Sequence, residues 1–152
     1  MGLRRVEAEI DLKSPPQKLY NIWKKTPHRV PHMTPKNIQA NEHHDGPWDD
    51  HGHGSHKTWN YTLQGKAEVF KERIELDDAN LKARHVGLDG DVFKIYKSYA
   101  ITFQYSPKGT GSLGKITIEY EKLSDDVPDA INYLNFLVEC NRDSDEHLVA
   151  KA

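Results

Sequence analysis

Cysteine is nearly missing from this sequence. Cys140 stands alone, so no intramolecular disulfide can form and a reducing compartment is the expected setting. Long apolar runs are missing too, and none approaches the roughly 20 residues a membrane-spanning helix needs. Where a secretory leader would be apolar, Arg4, Arg5, Glu7 and Glu9 follow one another closely, so no leader is expected. Position 6 is Val where a myristoylation signal wants Ser or Thr. Charge of one sign is lacking: 21 basic and 23 acidic residues intermix to a net charge of -2. No basic stripe marks a nucleic-acid binder. These absences predict a cytoplasmic protein with no membrane or nucleic-acid partner and no cofactor, and nothing beyond a monomer is implied. With 152 residues, 36% of them apolar, one domain over 1–152 is expected, with its core used economically.

What the sequence does contain is organised around its last stretch. From about Asp126 to Ala150 apolar residues recur at helical spacing: Ala130, Ile131, Leu134, Leu137, Val138, Leu148 and Val149. An acidic, proline-marked start at Asp125, Asp126 and Pro128 suits a helix N-terminus. At the other end, residues 4–12 alternate, with Val6, Ala8, Ile10 and Leu12 on one face of a strand. Ser14-Pro15-Pro16 starts a short helix carrying Leu19, Tyr20, Ile22 and Trp23 inward and ending at Thr26-Pro27. Further short helical pieces are predicted around His28 to Met33.

Short strands with tight turns fill the middle: Ile38–His43, His56–Leu63, Ala67–Leu76, Leu81–Leu88, Val92–Tyr105 and one around Ile116–Tyr120. Gln64-Gly65 is a two-residue hairpin turn, and Pro107 to Ser112 is expected as a loop. The fold class is therefore α+β, with seven antiparallel strands curved around one long helix. Such a sheet tends to leave a cavity lined by its apolar faces. Aromatic rings with polar tips (Trp59, Tyr61, Tyr99, Tyr105, Tyr120) suit a mainly apolar site, or they simply pack on one another.

Several segments resemble the plant major latex protein-like branch of the Bet v I (birch pollen allergen) superfamily. They are Thr26-Pro27-His28-Arg29-Val30-Pro31-His32-Met33-Thr34-Pro35, Thr58-Trp59-Asn60-Tyr61, Gly65-Lys66, Gly90-Asp91 with Tyr96-Lys97-Ser98-Tyr99, and Ile118-Glu119-Tyr120-Glu121-Lys122. The resemblance implies a helix-grip fold around a hydrophobic cavity. It also implies a partner that is a small hydrophobic molecule, namely a lipid, steroid or plant metabolite. A minority of that superfamily are isomerases or cyclases of specialised metabolism, so carrier and enzyme both stay open. A third reading, a structural or partner-binding protein, predicts a filled interior. The family's glycine-rich loop reads here Asp45-Gly46-Pro47-Trp48-Asp49-Asp50-His51-Gly52-His53-Gly54-Ser55. Its acid opposes an anion, and the spacing is not that of a nucleotide loop.

The residues expected to line the cavity are Ile10, Tyr20, Trp59, Tyr61, Tyr99, Ile101, Phe103, Ile116, Ile118, Leu134 and Val138. His85 shares a strand face with Leu81 and Ala83, which favours an inward position as a candidate general base, while a bulge near Gly87 would turn it to the outer face beside Lys82 and Arg84. His32, near the cavity mouth, is a second candidate. His43, His44, His51, His53 and His56 lie among aspartates, yet no recognised ligand spacing appears and the expected reading is an exposed polar loop without metal. Cys140 lacks a nucleophile's companions and reads as a packing residue. Asp143, Asp145 and Glu146, with Arg142, read as a solvated helix face.

Overall fold

The computed structural model describes residues 2–48 and 52–151. Its strands are β1 (Arg4–Leu12), β2 (Ile38–His43), β3 (His56–Leu63), β4 (Lys66–Asp77), β5 (Lys82–Gly90), β6 (Tyr96–Lys108) and β7 (Gly111–Lys122). They form one curved antiparallel sheet in the order β1-β7-β6-β5-β4-β3-β2. Between β1 and β2 lie α1 (Pro16–Lys24), a 3-10 turn (Pro27–Arg29) and α2 (Val30–Met33), and α3 (Ile131–Ala150) follows β7.

Side-chain alternation decides which face is buried. Tyr99, Ile101, Phe103 and Tyr105 of β6, with Ile116, Ile118 and Tyr120 of β7, are all nearly sealed from solvent. α1 begins with proline in its first turn and buries Leu19, Tyr20, Ile22 and Trp23 along one side. The β3–β4 connection is two residues long, with Gln64 at φ 51 and Gly65 at φ 79. Both are left-handed, the backbone such a hairpin requires.

Three boundaries differ from the sequence pattern by more than a residue or two. α3 starts at Ile131 instead of near Asp126, because the preceding segment is spent on bonds to the sheet. Pro128 O accepts the Tyr96 hydroxyl at 3.1 Å, while Asp129 takes the Tyr120 hydroxyl at 2.9 Å and Lys122 Nζ at 3.1 Å. Pro128 also disfavours helical backbone at Val127. Next, β6 begins at Tyr96, not Val92. The Asp91 carboxylate accepts from Val69 N and Lys94 Nζ, and Asp91–Lys94 coil into a 3-10 turn that buries Val92. Finally, the β6–β7 loop shrinks to a turn at 109–110, with Gly109 at φ 59.

The acidic stretch of α3 is a correction of another kind. Asp145 is only 4% exposed and accepts the backbone N–H groups of Lys13 and Ser14, both at 2.8 Å. Asp143 accepts from the Thr34 hydroxyl at 2.8 Å. Helical spacing alone cannot show that the β1–α1 corner comes to meet this face with bare amides.

Candidate functional site

α3 lies closest to β1 and β7, which leaves a gap over β3–β6. There a cavity of about 60 Å³ is open to the centre of a water molecule. Of the residues expected to line it, the structure brings together Trp59, Tyr61, Tyr99, Ile101, Phe103 and His85. The others sit elsewhere. Ile10, Ile116, Ile118 and Leu134 are buried in the core beside it, and Val138 is half-buried there. Tyr20 is buried on α1 with its hydroxyl on Asp78 at 2.6 Å. His32 is exposed on α2 and is not part of the lining.

Rings make up most of the wall. At one end Trp23 reaches over from α1, its centroid 6.2 Å from Trp59, 4.8 Å from Phe103 and 5.6 Å from His85. At the other end Tyr99 packs edge-on against Tyr133 of α3 at 5.8 Å. Tyr133 donates to Glu68 Oε1 at 2.8 Å, and Tyr61 donates to the same oxygen at 2.7 Å. One carboxylate thus ties α3 to β3 and β4 across the gap. Burial, then the neighbouring Glu68 charge, pushes both of these phenols well above their ordinary range.

The polar part of the wall is built on Glu72. β4 pairs with β3 so that Glu72 faces Lys57, and with β5 so that Ile74 faces His85. The inward side chains of three strands therefore converge. Glu72 is 2% exposed, accepts the Trp59 indole N–H, and meets His85 Nδ1 at 2.9 Å from both oxygens. Lys57 Nζ, 0% exposed, lies 3.5 Å from Glu72 Oε2 without a hydrogen bond of its own. Burial raises the Glu72 carboxyl, but the charges of His85 and Lys57 outweigh it and hold the group at about 2. Burial lowers the Lys57 amine, with Glu72 acting the other way.

His85, 3% exposed, has one nitrogen on Glu72 and the other, Nε2, buried with no hydrogen-bond partner. Because Nδ1 faces an ionised carboxylate, it carries the hydrogen. Nε2 then accepts a hydrogen bond in the neutral ring and donates one in the charged ring. Burial raises the Cys140 thiol, which also lines the cavity, far from thiolate reactivity.

Glu68 and Glu72 are the functional residues that the strand reading passed over. Their signal was present: Phe70, Ile74 and Leu76 alternate along β4, and the same period turns Glu68 and Glu72 inward. Val69, 42% exposed on the other face, obscured it. In the histidine-rich loop the described side chains bond one another and the backbone. His44 Nε2 meets Thr58 Oγ1 at 2.6 Å, His56 Nδ1 meets Asp45 at 3.0 Å, and His53 Nδ1 accepts from Leu76 N at 3.0 Å. His51, Asp49 and Asp50 lie outside the described residues.

The family model described as the pathogenesis-related protein Bet v 1 family matches residues 1–151. MLP-like protein 328 of Arabidopsis thaliana is 40% identical over 143 residues, covering 93% of each chain. The crystal structure of ginseng major latex-like protein 151 from Panax ginseng superposes with a TM-score of 0.89. It is 31% identical and the match covers 95% of this chain and 97% of that one. Norcoclaurine synthase from Thalictrum flavum, solved with dopamine and hydroxybenzaldehyde, shares the fold at a TM-score of 0.76 and 15% identity, with 99% and 88% covered.

Proposed function

Starting from the fact that the chain belongs to the pathogenesis-related protein Bet v 1 family, we propose that it binds a small hydrophobic molecule in the cavity between α3 and β3–β6. The observation that carries this reading is the unfilled space itself, walled by rings from four strands, α1 and α3. Enclosure among apolar rings lets a guest bury its surface at roughly 25 cal/mol per Å² before binding costs. Space of about 60 Å³ is well under the roughly 150 Å³ that accepts benzene, so a guest must push the lining apart. Native mass spectrometry of gently purified protein tests the reading, alongside calorimetric titration with p-xylene. A co-purifying small molecule or saturable p-xylene binding is expected; a bare mass with no heat of binding overturns it.

A second reading rests on the His85–Glu72 pair. In an isomerase or cyclase using the same cavity, Nε2 moves a proton on a bound molecule while the walls exclude water. Acetophenone, a ring with exchangeable hydrogens beside its carbonyl, is a suitable probe in deuterated buffer. Enzyme-accelerated exchange lost in His85→Phe favours catalysis. Binding of the ketone without accelerated exchange leaves a carrier.

A further inference from the structure

Among the described residues, Nε2 of His85 is a buried nitrogen of the cavity wall that has no hydrogen-bond partner. Glu72 is fully engaged by Trp59, His85 and Lys57. The neighbouring carboxylate, Glu68, already accepts two tyrosine hydroxyls. A buried nitrogen without a partner costs free energy that a complementary guest atom removes.

We propose that the guest is a small aromatic alcohol, a phenol in its simplest form, whose hydroxyl seats on His85 Nε2. The proposal rests on the carrier reading above and names the chemical class it takes. A hydroxyl fits because it serves the imidazole in either state: it donates to the bare lone pair of the neutral ring and accepts from the N–H of the charged one. A carbonyl answers only the charged ring, and an ammonium group, which has no lone pair, only the neutral one. The body attached to the hydroxyl is set by the walls beside His85. Phe103 and Trp23 stand with centroids 5.1 and 5.6 Å from the imidazole, and Trp59 lies beyond Trp23 at 6.2 Å. A flat ring meets these in stacked and edge-on contacts. The cavity of about 60 Å³ sets the size: one ring already requires the side chains to give way.

The test uses p-cresol and p-xylene, which have nearly the same shape but exchange a hydroxyl for a methyl. Calorimetry on the whole protein is expected to show p-cresol binding about tenfold more tightly, since p-xylene leaves Nε2 bare. In ¹⁵N spectra of labelled histidine, the His85 Nε2 signal is expected to shift with p-cresol and stay in place with p-xylene. In His85→Phe the preference is expected to vanish while p-xylene still binds. The spectra of the unaltered protein decide the matter if that variant fails to fold. Equal affinity for the two probes, or an unmoved Nε2 signal at p-cresol saturation, overturns the hydroxyl assignment and leaves the carrier reading standing. If neither probe binds, this inference falls, and the carrier reading falls with it when native mass spectrometry also shows a bare mass.

Discussion

Glu72 shows how much a single buried charge can organise. Removing it in Glu72→Leu strands the Lys57 ammonium in the interior and leaves the Trp59 N–H without its acceptor. A loss of about 3–5 kcal/mol is expected from urea denaturation. Because that loss is mostly the uncompensated amine, adding Lys57→Met is expected to restore a large part of it. The same carboxylate gives stability a pH dependence. Its folded value of about 2 lies below the ordinary 4.5, so the folded state is favoured above pH 4.5 and loses that advantage as pH falls towards 2. The linkage is worth on the order of 3 kcal/mol. In Glu72→Gln, urea midpoints measured from pH 5 to pH 2 are expected to fall less steeply than in the unaltered protein.

α3 is anchored at two points along its length, and the two anchors differ in kind. Near its C-terminal end Asp145 receives the amides of Lys13 and Ser14, and Asn141 receives the Tyr105 hydroxyl at 2.6 Å. Asp145→Ala leaves two amides bare and is expected to cost about 2–4 kcal/mol, with faster amide exchange at Lys13 and Ser14 as the local readout. Nearer its start, Tyr133 to Glu68 is the hydrogen bond that bridges the cavity gap. Tyr133→Phe is expected to cost only about 1 kcal/mol. It should also speed p-xylene association in stopped-flow fluorescence, because the helix half above the cavity is then free to lift. The first anchor is expected to weigh on stability, the second on the rate at which p-xylene enters.

At the scale of the molecule, the cavity is a stability deficit that the proposed guest is expected to offset. Ligand at 100 times its dissociation constant is expected to add about 2.7 kcal/mol to unfolding free energy, read as a rise in Tm. Leu137→Ala, which widens the wall on α3, is expected to cost about 2–5 kcal/mol in the empty protein. A guest larger than one ring should then recover part of that loss, and should stabilise the variant more than the unaltered chain.

Much of this was legible in the sequence, and the physical reason is periodicity. Alternation placed the inward faces of β1, β3, β6 and β7, helical spacing placed α1 and the body of α3, and Gln64-Gly65 specified a tight hairpin. Leu81 and Ala83 favoured an inward His85, and the strand register settled it against the outer face. Tertiary structure decided what periodicity cannot carry. It set the register that brings Lys57, Glu72 and His85 of three strands into one cluster, and the approach of the β1–α1 corner that turns Asp145 from a surface acid into an anchor. It also drew 126–130 into bonds with β6 and β7 and so delayed α3. Each depends on contacts between residues distant in the chain, whose geometry no local pattern encodes. The volume left between helix and sheet is the sum of all of them.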